Sequence, residues 1–131
     1  MIPEEKKLLF KDLCSRLPYD CKVAIAEGGI DGLQWDNVTL NSYLLYQIEE
    51  EDGWEYVKPY LRSMSSMTEE EYKELKEISE YYGFAPFIYI DDWCPNYDMT
   101  DWLNAHHFDY RGLIEKGLAI EALEDNNPHK E

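Results

Sequence analysis

The chain is short of positive charge: 12 Lys and Arg stand against 28 Asp and Glu, a formal net charge of −16 over 131 residues. A surface with so few cations offers no phosphate footprint, which excludes ordinary nucleic-acid binding and disfavours anionic membranes. No run of 18 apolar residues occurs, so no membrane-spanning helix is expected. Met1 to Lys7 lack the apolar stretch that follows a basic start in a signal peptide. Cysteine is scarce and odd in number. Cys14, Cys21 and Cys94 show no CxxC spacing, so reduced thiols in a cytoplasmic protein are expected, and the spacing gives no support for a zinc site. No GxSxG elbow, Walker loop or GxGxxG fingerprint is present, and Gly28-Gly29-Ile30-Asp31-Gly32 reads as a turn. The common nucleophilic and nucleotide-binding enzyme classes are therefore disfavoured, and neither cofactor nor metal is expected.

What is present suffices for a core. Apolar residues make up 44% and aromatic ones 15%, which excludes a disordered chain. There is no internal repeat and no linker. One α+β domain over residues 1–123 is expected, with a polar, frayed tail at 124–131. Pro3 suits a helix's first turn, Glu4 and Glu5 its positive end, and Leu9, Leu13 and Leu17 form its apolar stripe; Pro18 ends it. Cys21, Val23 and Ile25 alternate as in a strand. Leu33–Trp35, Val38–Leu40, Ser42–Ile48 and Trp54–Val57 read as further strands, with Glu49, Glu50, Glu51, Asp52 and Gly53 as a hairpin loop and Pro59 closing the segment. These predict a small antiparallel sheet, curved enough to approach a barrel. Thr68-Glu69-Glu70-Glu71 is a capping box opening a second helix, which carries Leu75, Ile78 and Tyr82 and stops near Gly83. Phe87–Ile90 reads as a strand, and Asp98 or Thr100 caps a third helix bearing Trp102, Leu103 and His106.

Three blocks carry a family resemblance: Val57-Lys58-Pro59-Tyr60-Leu61-Arg62, the string from Ser65 to Glu71, and the string from Asp101 to Ile114. With Leu17-Pro18-Tyr19 closing the first helix, the chain resembles a family of small, acidic, uncharacterised proteins of gut anaerobic bacteria and of their phages and prophages. The chain departs from that pattern at Ser63 and at Glu115-Lys116, where members commonly have proline. The resemblance implies a mobile-element origin and names no activity.

Three constellations could carry chemistry. His106, His107 and Asp109 offer two imidazoles and a carboxylate, but adjacent helical residues diverge by about 100° and do not easily face one ion. The plainer reading packs His106, exposes His107 at a helix end and starts a turn at Asp109. Asp91, Asp92, Asp98 and Asp101 surround Trp93, Cys94 and Pro95 without EF-hand spacing, so they read as helix caps. The acids form the third. Glu70, Glu74 and Glu77 share a helical face, and Glu50 and Glu51 lie in an acidic turn. Such rows either keep the protein in solution or imitate phosphates. The eleven tyrosines, Tyr46 and Tyr56 among them, suit an interface as well as half-buried strands.

The expected function is a non-catalytic phage-type interaction protein that binds, and could inhibit, a host or defence protein through Glu50, Glu51, Glu70, Glu74, Glu77, Tyr46 and Tyr56, in place of nucleic acid. The alternatives are a small metal-assisted hydrolase using His106, His107 and Asp109, and an oligomeric structural protein.

Overall fold

The computed structural model describes residues 1–29, 32–81, 97–123 and 126–129. Helix α1 (Pro3–Arg16) begins and ends where its prolines dictate, and a 3-10 turn over Leu17–Tyr19 follows. Leu9 and Leu13 are fully buried on its inner face. Strands β1 (Lys22–Gly29) and β2 (Gly32–Thr39) pair antiparallel, from Lys22 opposite Thr39 to Gly29 opposite Gly32. The two short strands expected over 33–40 are thus one continuous strand.

The segment expected as a strand at Ser42–Ile48 is helix α2 (Ser42–Glu51). Its Tyr and Ile residues favour strands, but local chemistry outweighs that preference. The Asn41 side chain accepts a hydrogen bond from the Leu44 N–H at 2.8 Å, an N-cap worth about 1 kcal/mol. Leu45 and Ile48 are buried, with Leu44 packed beside them, which is helical and not alternating spacing. Asp52 closes the helix in the left-handed region at φ 51°, its N–H and that of Gly53 reaching back to Glu49 and Ile48 carbonyls. The acidic run therefore forms a helix end instead of a hairpin loop.

After a 3-10 turn over Trp54–Tyr56 comes β3 (Val57–Ser63), with Pro59 inside it opposite Val23. Pro59 does not close the segment, because pairing on the other side of β3 with β5 (Ile120–Glu121) begins only at Tyr60. Helix α3 (Glu69–Tyr81) opens on the capping box: Glu71 N–H donates to the Thr68 hydroxyl at 3.1 Å, and Thr68 N–H donates to the Glu71 carboxylate at 2.9 Å. Helix α4 (Tyr97–Ala105) leads into β4 (Phe108–Asp109).

The fold is α+β. Among the described residues, four α-helices stand where three were expected, and five strands form an open mixed sheet. The order is β2-β1-β3-β4, with β5 also on β3. Pairing is antiparallel between β1 and its two neighbours and parallel between β3 and both β4 and β5. The sheet is not closed into a barrel. Strands β4 and β5 return through helices and turns, a route that parallel pairing requires.

Two apolar clusters lie against this frame. Leu9, Leu13, Val23, Leu45, Ile48, Trp54, Val57 and Leu61 belong to the first. Leu75, Met99, Leu103 and Phe108 form the second, between α3, α4 and β4. Joining α1 to β4 is a buried ion network. Arg16 and Asp12, both 0% exposed, are joined by hydrogen bonds of 2.8 and 3.1 Å. Arg16 also donates to the Phe108 carbonyl at 2.7 Å, and Arg111 donates to Asp12 at 2.8 Å. The strand expected at Phe87–Ile90, the turn residues Ile30 and Asp31, the helix stop at Gly83, and Asp91 to Pro95 lie outside the described residues.

Candidate functional site

Helix α2 buries one face and leaves the other in solvent. Tyr43 is 69% exposed and Tyr46 61% exposed. With Glu50 they occupy positions i, i+3 and i+7, one outer face of the helix. Glu51 is exposed in the last turn, and Tyr56 stands exposed on the 3-10 turn that follows. Part of the acidic run is already paired: Asp52 binds Lys6 at 2.9 Å, and Glu55 binds the Met1 amine at 2.8 Å.

On α3, Glu69, Glu70, Glu74 and Glu77 are exposed. They are not equivalent. The Glu74 carboxylate accepts the Trp102 indole N–H at 3.1 Å and so helps dock α3 on α4. Glu71 turns inward as the partner of Arg62, with contacts of 2.6 and 2.7 Å. The Arg62 hydrogen bonds, helped by the Thr68 N–H and opposed by partial desolvation, lower the Glu71 carboxyl to about 2. Helix α2 covers the first apolar cluster and α3 the second, so the two acidic rows belong to different parts of the surface.

The fold does not assemble His106, His107 and Asp109 into a ligand set. The His106 ring stacks on Trp102 at 4.0 Å, and its Nδ1 donates to the Trp102 carbonyl at 2.8 Å. Both Asp109 oxygens accept backbone N–H groups, from Leu113 and Ile114 at 2.9 Å each. They fix the turn toward Gly117, whose φ of +74° suits glycine. His107 is half-buried rather than exposed and takes φ 63°, an uncommon conformation for any residue but glycine.

His107 meets different partners. Its ring stacks on His129 with centroids 3.6 Å apart. Cys21, His107 and His129 each place one ligand-type atom so that all lie within 4.8 Å of one another. Three distant segments converge here: the start of β1, the turn after α4, and the last described residues. Residues 126–129 fold back on the body of the protein. Asn126 accepts the Leu123 N–H at 2.6 Å, and His129 Nε2 accepts the Lys22 N–H at 2.8 Å. That bond leaves the His129 proton on Nδ1, which faces Asn127 Oδ1 at 3.2 Å.

Cys21 is fully buried, and His107 and His129 are half-buried. Burial, with the nearby charges of His129 and Arg16, lowers His107 to about 3. Burial, with Lys22 and Arg16, lowers His129 to about 4. Burial also pushes the Cys21 thiol up to about 12, against the pull of Arg16. At neutral pH the three are uncharged, and His107 Nδ1 is buried with no hydrogen-bond partner among the described residues. This cluster escaped the sequence reading because its members are far apart in the chain and no local spacing marks them.

No match is found among protein-family models, curated proteins or solved structures. Among the described residues, no helix is long and apolar enough to cross a membrane.

Proposed function

We propose that the protein is a non-catalytic interaction module that binds a basic partner through an acidic and aromatic surface. The observation that carries this reading is the outer face of α2. It leaves Tyr43 and Tyr46 in solvent beside Glu50, although Tyr is a residue that interfaces favour for its apolar ring and polar tip. The charge of −16 supplies the complement for a cationic groove and speeds encounter with it. The partner of matching chemistry is a nucleic-acid-binding protein, with the carboxylates of Glu50 and Glu51 beside the tyrosines taking the place of phosphates and the separate α3 row, Glu70 and Glu77, adding to the long-range attraction. The resemblance to phage and prophage proteins makes a host or defence protein the natural target. Glu74 contributes less, since its carboxylate holds Trp102.

The test is competition. A partner is captured from cell lysate on the tagged protein, a labelled duplex DNA is bound to it, and the untagged protein is titrated in. The reading expects displacement of the DNA at low salt and its loss at high salt. Displacement unchanged by Glu50→Lys, Glu70→Lys and Glu77→Lys together overturns it.

A second reading, assembly with another copy, is favoured by one feature. Trp35 and Val38 are exposed on β2, which stands at the end of the strand order. Light scattering that shows a monomer at every concentration removes it.

A further inference from the structure

We propose that Cys21, His107 and His129 form a zinc site, with the thiolate and two imidazole nitrogens as protein ligands and a water molecule completing the tetrahedron. One sulfur and two nitrogens suit a borderline ion such as zinc, whereas magnesium and calcium require oxygen.

Four observations carry this. The three ligand-type atoms lie within 4.8 Å of one another. Zinc bond lengths of about 2.0–2.3 Å set tetrahedral neighbours at about 3.3–3.6 Å, so closure requires about 1 Å of contraction at the widest pair, which rotation of the imidazoles can supply. His107 Nδ1 is buried with no hydrogen-bond partner among the described residues, a costly condition that a metal ion relieves when the ring presents this nitrogen in its unprotonated form. His129 is oriented from behind by Asn127 Oδ1, the arrangement by which an outer hydrogen bond aims a metal-binding imidazole. Cys21 is fully buried, which suits a ligand better than a nucleophile, because no substrate reaches the sulfur.

On binding, the Cys21 sulfur releases its proton to solvent as the zinc–sulfur bond forms. The imidazoles ligate as neutral groups, and the Lys22 N–H gives up its His129 acceptor. Arg16 and Lys22 oppose a dication here. Asp12 offsets Arg16 through its direct ion pair, and the thiolate removes one unit of the ion's charge.

The test uses the full chain with Cys14→Ser and Cys94→Ser, so that Cys21 is the remaining thiol. Zinc chloride is titrated calorimetrically, and cobalt(II) is loaded as a spectroscopic substitute. The expected results are one ion per chain, a thiolate-to-cobalt charge-transfer band with tetrahedral ligand-field bands, and a rise in melting temperature with zinc. His129→Gln should weaken zinc by more than the roughly 10–100-fold that loss of an outer-shell partner brings. His106→Gln should leave affinity unchanged. His129 sits at the edge of the fold, so its variant remains informative if Cys21→Ser fails to fold. The proposal is overturned by sub-stoichiometric zinc, by a cobalt spectrum without the thiolate band, or by equal affinities of the His129→Gln and His106→Gln proteins.

Discussion

Replacing Asp12 by Asn should destabilise the protein by about 3–5 kcal/mol, the loss expected when one partner of a buried ion pair is removed. The structure explains why this site belongs at the severe end. Arg16 is 0% exposed, and its protein acceptors are the two Asp12 oxygens and the Phe108 carbonyl. Its Nη1 already lacks a partner among the described residues. Desolvation works against the Arg16 charge, yet the charge and hydrogen bonds of Asp12 outweigh it and hold the guanidinium above its ordinary pKa. An amide in place of the carboxylate keeps the volume, removes the negative charge and turns an N–H₂ group toward N–H donors. Arg111 then loses its partner at 2.8 Å as well. Against a typical total stability of about 5–15 kcal/mol, this is a large fraction. It corresponds to a fall in melting temperature of roughly 10–20 °C for a chain of this size. Urea titration and calorimetry measure it. The paired replacement Asp12→Leu with Arg16→Met should cost less than Asp12→Asn alone, because it leaves no buried charge unpaired. A loss below about 1 kcal/mol for Asp12→Asn, or a double variant worse than the single, refutes the reasoning.

Other outcomes follow from the same structure. Glu71→Gln should cost about 1–2 kcal/mol at pH 7 after allowance for partial solvent exposure. Because the Glu71 carboxyl is lowered from 4.5 to about 2, its contribution is complete above pH 4.5 and is lost as pH falls toward 2. Urea midpoints of the native and Glu71→Gln proteins should therefore converge over that interval; a constant gap down to pH 2 contradicts the assignment. Asn41→Ala should lower stability by about 1 kcal/mol through loss of the α2 cap, with Asn41→Asp close to neutral, as read by the same titration. Leu13→Ala, at a fully buried position, should cost about 2–5 kcal/mol, whereas Tyr46→Ala should leave stability within about 0.5 kcal/mol and weaken partner binding.

Where a local rule acted alone, the fold was legible. Pro3 and Pro18 bracket α1, and Thr68 with Glu71 opens α3. Helix α2 was missed because Tyr43, Tyr46 and Ile48 favour strands, while the deciding features were a single asparagine cap and the burial of Leu45 and Ile48 by the rest of the core. The parallel strands β4 and β5 are two residues each, too short for any periodicity to register. The exposed tyrosines and acids could be named from composition, but their separation over two helices is a tertiary fact. The cysteine–histidine cluster is wholly tertiary: Cys21 is brought by a strand, His107 by a left-handed turn residue, and His129 by a chain end folding back.

The central claim is that this acidic, tyrosine-bearing surface occupies a basic groove. Its most direct measurement is the affinity of the captured partner for the native protein and for the Glu50→Lys, Glu70→Lys, Glu77→Lys variant, each at low and high salt, with circular dichroism confirming that both are folded. The account predicts tight binding by the native protein that weakens steeply with salt and is displaced by duplex DNA, and little binding by the variant at any salt. Equal affinities for the two proteins, insensitive to salt and to DNA, would contradict it.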